Sequence, residues 1–328
     1  MRKKKALPFV DLPTSVEDYT QSANSLFHFM KRQSFLESAL QKKALIPRFC
    51  LEDVHYLKLT VGEDTFGEIA ILQKCFCDIP LHKITATIEL SLTEECKRDN
   101  NNLDETKLLQ DNNHPGFYGR FGIAFSKKWC ELKNLQPIHY VNSAASYAHS
   151  FSTLFEKAVT AENLEEGFAD DILQRLALMK PLRGKMKRPT QIKENQTELE
   201  FNKNFHDEQE WRYVPNLSTI QDINKKTGCT LTPIIANPNL LSFPTMSKNS
   251  FINEQSEMIC ENEYSPIWLD FEYSDIKHII VPDTQARLDI IDSIIDLPTP
   301  NFTRSFALKE KHILISKILV LDEIGKDW

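Results

Sequence analysis

The chain has 328 residues, with 46 Asp+Glu against 39 Lys+Arg, a formal charge of −7, and 41% hydrophobic and 26% charged side chains. That balance excludes disordered and fibrous classes, and the acidic excess argues against broad nonspecific affinity for nucleic acid. Only 9 glycines are present and neither GxGxxG nor GxxxxGK[ST] occurs, so phosphate-cradling loops are scarce.

The opening MRKKKALPFVDLP is basic, but its apolar run is too short for a signal peptide and contains Pro8. No stretch approaches the ~18 apolar residues of a membrane span, so the expectation is a cytoplasmic chain without membrane contact. Seven cysteines, odd in number and irregularly spaced, suit a reducing compartment. Cys75-x-Cys77 with His82 lacks a completing pair of ligands, and no metal is expected there.

In chain order, Leu26–Met30 reads as a buried strand with His28 in its middle. Ser34 to Leu45 reads as a helix with Phe35, Leu36, Ala39 and Leu40 on one face, Ser34 as N-cap and Glu37 three residues later. Further strands are expected from Ile69 (IAILQKCFCDIP), at Phe121–Phe125 and at Pro137–Val141, with a polar insertion near 93–115 between them. Ser143–Thr160 and Ala169–Met179 read as helices. Lys180–Lys193 holds six Lys/Arg and two prolines and reads as a basic loop, within a polar insertion near 180–200. Strand signals return at Glu210–Val214 and Lys277–Val281, a helix is expected over Thr284–Ile295, and HILISKILVL at 312–321 favours strand. Asn249–Ser265, rich in Asn, Glu and Ser, reads as a third polar loop insertion, near 249–266. Strands contributed from both ends point to a single α+β domain over 1–328, a central β-sheet with interposed helices.

The motifs of zinc proteases, serine hydrolases, calcium loops and kinases are absent. Four local clusters remain. His28 between aromatic neighbours can bind a ligand or sit satisfied in the core. Arg48, after Pro47, can offer a planar fork to phosphate or form a surface ion pair. Tyr118 lies in HPGFYGRFGIAF, where Gly116, Gly119 and Gly122 suggest backbone brought close to something, either a ligand ring or a tight turn. In FHDEQEWRYV, an extended backbone places Glu208, Glu210 and Arg212 on one face. Paired carboxylates have their pKa values pushed apart and can serve a reaction. They can equally form an ion-pair ladder on a solvated face.

Taken in order, LFHFMKRQSFLESALQKKALIPRFCLEDV, CFCDIPLH, YGRFGIAFSKKW with PIHYV, FHDEQEWRYVP and IKHIIVPD resemble the AbiGi family of bacterial abortive-infection proteins, the antitoxin of a phage-resistance pair. That resemblance implies phage defence in a bacterial cytoplasm, with a partner toxin or a phage component. A second likeness is to the order of parts in ADP-ribosyltransferases. It implies NAD as substrate, with His28 and Arg48 on the dinucleotide, Tyr118 stacking on nicotinamide, and Glu210, aided by Glu208, acting at the ribose as an oxocarbenium-like sugar forms. No Ser-Thr-Ser element accompanies it. Two readings therefore stand side by side: an NAD-using effector of the ADP-ribosyltransferase or NAD glycohydrolase type, and a non-enzymatic antitoxin or regulator that binds a toxin, or nucleic acid through Lys180–Lys193. A metal nuclease built on Asp207, Glu208 and Glu210 lacks a second acidic cluster. The first reading requires His28, Tyr118 and Glu210 to converge on one cleft.

Overall fold

The computed structural model describes residues 22–61, 63–88, 90–99, 112–160, 167–192, 195–236, 250–303 and 307–327. The apolar runs form strands as their composition demands: β1 (Ser25–Met30), β2 (Arg48–Asp53), β3 (Glu68–Cys77), β4 (Leu90–Leu92) and β5 (Phe121–Ser126). The later strands are β6 (Gln136–Pro137), β7 (His139–Val141), β8 (Met179–Pro181), β9 (Arg183–Ile192), β10 (Asn195–Asn204), β11 (Glu210–Tyr213), β12 (Ile276–Val281) and β13 (Ile318–Val320). Among the described residues the central sheet runs β13-β12-β5-β1-β3-β11-β6, with β2 paired to the first part of β3. It is mixed: β12 and β13 are parallel, and the pairings of β1, β5 and β3 are antiparallel. The fold is α+β, and strands from both ends of the chain meet in one sheet.

The helices that matter below are α1 (Gln33–Lys42), α2 (His114–Tyr118), α3 (Ser146–Thr160), α4 (Phe168–Ala177), α5 (Leu217–Thr227), α6 (Ser250–Met258), α7 (Thr284–Ile295) and α8 (Ala307–Ile315). One face of the central sheet, bearing Leu26, Met30, Phe76, Ile123 and Phe125, packs on Leu36 and Leu40 of α1, Ile290 and Ile294 of α7 and Leu314 of α8. The opposite face carries Phe27, Phe29, Cys77, Ala124 and Ile280. Among the described residues no helix is long and apolar enough to cross a membrane.

Several local expectations change. Helix α1 begins at Gln33 behind Arg32, which makes no side-chain cap, and Phe35 is 43% exposed while Leu36, Ala39 and Leu40 are buried. The Pro137–Val141 strand is broken in two at Ile138. Tyr118 ends a helical turn, which Asn113 caps through Gly116 N–H (2.9 Å) and in whose first turn Pro115 sits. The polar segment at 250–265 contains α6. Ile252, Ser256 and Ile259 recur at helical spacing and are buried, a period that polar composition concealed. Within 312–321 the first half belongs to α8: Leu314 is buried while Ile313 is 57% exposed, a helical rather than alternating pattern, and strand begins at Ile318. Residues 100–111 of the 93–115 insertion lie outside the described residues.

Of the expected Lys180–Lys193 loop, Lys193 lies outside the described residues and the rest is not a loop. It spans β8 and β9, and β9 pairs with β10 residue by residue from Arg183↔Asn204 to Ile192↔Asn195, extended by β4 on the far side of β10. Backbone pairing, which needs no apolar alternation, makes this ribbon.

Gly119 shows what the glycine concentration serves. Its φ is +121°, and a Cβ there would lie 2.0 Å from the Met30 carbonyl oxygen, so the close approach is to the backbone of β1. Gly167, at φ +87°, has open space around the same position. Gly119→Ala is therefore expected to cost about 3 kcal/mol or more, and Gly167→Ala about 1 kcal/mol, as read from urea unfolding midpoints. Equal costs would refute the steric argument.

Candidate functional site

Strand β11 sits beside β3 with Glu210 opposite Cys77, Trp211 opposite Phe76 and Arg212 opposite Cys75. Directly opposed residues project to the same side of a sheet, and successive residues alternate. Glu210 and Arg212 accordingly share a face, as their spacing requires. That face is closed: Glu210 is 5% exposed and Arg212 fully buried, so the solvated ladder is excluded. Glu208 belongs to a 3-10 turn, Phe205–Glu208, and Gln209 takes a left-handed conformation (φ 43°). This turn, not strand alternation, brings Glu208 to the same cation as Glu210.

The cation is Lys180 of β8. Its ammonium lies 3.0 Å from Glu208 Oε2 and 2.8 Å from Glu210 Oε2. Glu208 Oε1 accepts from Lys203 of β10 and from the Tyr118 hydroxyl, while Lys203 also donates to Tyr118 at 3.0 Å. Glu210 Oε1 accepts from Arg212 Nε at 2.7 Å, and the Glu210 backbone N–H donates to the Tyr140 hydroxyl at 2.8 Å. Arg212 continues the chain of contacts to the Ala177 carbonyl at the end of α4 (2.8 Å) and to Glu52 of β2 (3.0 Å), which also accepts from Gln73 (2.7 Å). Phe117, Tyr118 and Phe205 surround the Lys203 ammonium at 4.9, 4.9 and 5.8 Å. Three carboxylates and three cations thus neutralise one another inside the molecule.

Electrostatics follow from this geometry. Burial opposes ionisation of Glu210, but Arg212 and Lys180 outweigh it and hold the carboxyl at about 2. Glu208 is likewise held well below the usual carboxylate range, burial being outweighed by Lys180 and Lys203. Burial, with Glu208 beside it, pushes the Tyr118 phenol well up. His114 packs at a tilt against Tyr118 and Phe29 (ring centroids 4.6 and 5.3 Å apart) with Nδ1 lacking a hydrogen-bond partner, and burial pulls its imidazole down to about 4.

The sequence-derived candidates separate here. Tyr118, Glu208 and Glu210 come together. His28 does not join them, because Phe27 opposes Cys77 and His28 therefore projects from the other face, against Phe76 at 5.5 Å and with Nδ1 2.8 Å from the Cys75 carbonyl. Burial and the nearby Lys74 pull it down to about 3. Arg48 is exposed at the start of β2, opposite Gln73. Two cavities, of about 350 Å³ around Arg120 and Asp322 and about 210 Å³ between α4 and α5, are lined by neither Glu208 nor Glu210. No group of three or more His, Cys, Asp or Glu among the described residues is placed to hold a metal ion. Sequence reasoning missed Lys180, Lys203, Tyr140 and Glu52. Lys180 was counted with the basic run. Lys203, between Phe201 and Phe205 of FNKNF, carried a usable signal: a cation flanked by aromatics in a strand.

Glu210→Gln is expected to cost about 3–5 kcal/mol, because it leaves Lys180 and Arg212 buried with less opposing charge, whereas Glu94→Gln on an exposed pair should leave the urea midpoint in place. A near-neutral Glu210→Gln would sink this account. The pH dependence has two parts. His114 is held neutral below its ordinary 6.5, so the unfolded chain takes up the proton first and stability falls as pH drops from 6.5 towards 4. Glu210 stabilises above its ordinary 4.5, a contribution lost as pH falls from 4.5 through about 2. His114→Phe should reduce the first part, leaving the share that His28, held down to about 3, contributes over the same range, and should leave the second part unchanged, as followed by melting temperature against pH.

The family model described as "Putative abortive phage resistance protein AbiGi, antitoxin" matches residues 106–282, which include α2, the β8–β10 ribbon and the whole of β11. The "Abortive phage resistance protein AbiGi" of Lactococcus lactis subsp. cremoris is 29% identical over 294 residues, covering 87% of this chain and 100% of that protein. No solved structure matches. With Lys180, Lys203, Glu208 and Glu210 inside the matched region, and with that region spanning more than half of the sequence, the chain belongs to the AbiGi family of abortive phage resistance proteins.

Proposed function

We propose that this chain serves antiphage defence as the antitoxin of a toxin–antitoxin pair and acts by holding a partner toxin rather than by catalysis. One observation carries the reading: all four carboxylate oxygens of Glu208 and Glu210 are engaged by Lys180, Lys203, Arg212 and Tyr118, on residues 4% and 5% exposed. A carboxylate that stabilises a developing sugar cation must face that cation, and these face protein cations already in place. The position of His28 on the opposite face of the sheet supports the same reading, since one dinucleotide would have to pass through the sheet to meet both. The name of the family supplies the partner class. A protein partner is favoured over nucleic acid because Lys180 is spent inside the fold and Lys185 pairs with Glu95 and Glu200 at 3.3 and 3.0 Å.

Tyr118→Phe tests the proposal. It removes a buried hydroxyl with its two hydrogen bonds, to Glu208 and from Lys203, at about 1–3 kcal/mol, and leaves the carboxylates paired with lysine. In bacteria co-expressing the companion toxin, Tyr118→Phe should relieve growth arrest as fully as the wild-type chain, with melting temperature as control. A wild-type chain that neither binds the toxin nor relieves the arrest would overturn the proposal, and NAD loss caused by the chain expressed alone would favour the NAD-using reading instead.

A further inference from the structure

Strand register gathers two of the seven cysteines on one face. Across β2 and β3, Arg48 opposes Gln73, Cys50 opposes Ile71 and Glu52 opposes Ile69, while Arg212 of β11 opposes Cys75. Directly opposed residues share a side, so Cys50, Glu52, Gln73, Cys75 and Arg212 project together. That face is concave. Glu52 is level with Ile69, and on a flat strand Cys75 would lie about 20 Å further along, a span that arginine and glutamate side chains do not bridge. Yet Glu52 Oε1 lies 3.0 Å from Arg212 Nη2 and 2.7 Å from Gln73 Nε2. Cys50 sits inside this curve: its Sγ lies 3.7 Å from the Arg48 carbonyl, turned towards the end of β2 nearer Cys75, and the Cys75 thiol hydrogen-bonds to it. Both cysteines are half-buried, whereas Cys77, opposite Phe27 and Glu210, is closed off.

We infer that Cys50 and Cys75 are a site of oxidative modification, which hydrogen peroxide closes to a disulfide. Cys50 is the attacking group: the hydrogen bond from Cys75 holds its thiol below the ordinary range, with Lys74 and Arg212 aiding and burial and Glu52 opposing. Its thiolate takes one peroxide oxygen as the O–O bond breaks, and the departing hydroxide recovers the proton that Cys50 released, leaving a sulfenic acid and one water. The Cys75 sulfur then attacks that sulfur, the S–O bond breaks, and the hydroxyl leaves with the Cys75 proton as a second water. Two thiols are oxidised to one S–S bond and one peroxide is reduced to two waters. Metal binding does not account for the pair, since among the described residues no group of three His, Cys, Asp or Glu is placed to hold an ion. In a reducing compartment such a bond is transient and reports oxidant. It ties β2, which supplies Glu52, to β3 beside Arg212, so oxidation bears on the buried ion cluster. The inference does not depend on the antitoxin reading.

The test treats the purified, fully reduced chain with hydrogen peroxide, blocks the remaining thiols by alkylation and digests with trypsin in the absence of reductant. Peptides 49–58 and 75–83, which hold Cys50 and Cys75, should appear linked with loss of both thiols, and dithiothreitol should separate them. The second peptide also contains Cys77, and Cys75→Ser distinguishes the two. That variant should abolish the link and leave Cys50 as a sulfenic acid that dimedone traps, with melting temperature as control. A link that persists in Cys75→Ser would overturn the inference. So would a bond from Cys50 to the exposed Cys260, or a Cys50 still free once Cys260 is oxidised. These last two outcomes are read in the wild-type chain and decide the matter even if Cys75→Ser melts early.

Discussion

Six charges share a space from which water is largely removed, and that constraint organises the middle of this protein. Glu52, Glu208 and Glu210 meet Lys180, Lys203 and Arg212, drawn from β2, the turn before β11, β8, β10 and β11. Taking each ion from water costs several kcal/mol, which its partners return only when every one is in place. The cluster as a whole therefore adds little net stability while the loss of any member is expensive. Its effect is to fix which strands can neighbour one another, since a slip of β11 by one residue would turn Glu210 and Arg212 to the apolar face.

The same constraint ties the ribbon of β9 and β10 to the central sheet. Lys203 ends β10 beneath Phe117, Tyr118 and Phe205, and Lys180 precedes β9, so the base of the ribbon is pinned by two cations that hold the carboxylates of a third element. Tyr118 can reach them because Gly119 lets the chain turn within contact of Met30 and enter β5. Aromatic rings and glycine thus serve placement of a buried polar group. On the surface, α7 and α8 expose apolar side chains that the core does not need.

Local readings succeeded where one period dominated. Leu26–Met30, Phe121–Phe125 and Thr284–Ile295 carry unmixed strand or helix signals and stand where their residues placed them. They failed where composition masked the period, as with Ile252, Ser256 and Ile259 among polar neighbours, or where backbone pairing replaced side-chain packing, as in Arg183–Ile192. HILISKILVL failed for a third reason: ten apolar-rich residues contain both the end of a helix and a strand, and the break at Ser316-Lys317 gives weak punctuation.

The sequence by itself determined the α+β class, the strands from both chain ends and the shared face of Glu210 and Arg212, because alternation along an extended chain is a local property. It also carried the family resemblance, which depends on the order of short blocks. Only the tertiary structure decided that His28 and Glu210 lie on opposite faces, since strand parity relative to a partner is set by register across the sheet and not by spacing along the chain. Only it decided, too, that the lysines meeting Glu208 come from positions 180 and 203. The charge of a side chain is written in the sequence, but whether it is spent on water or on a buried carboxylate depends on what folds over it.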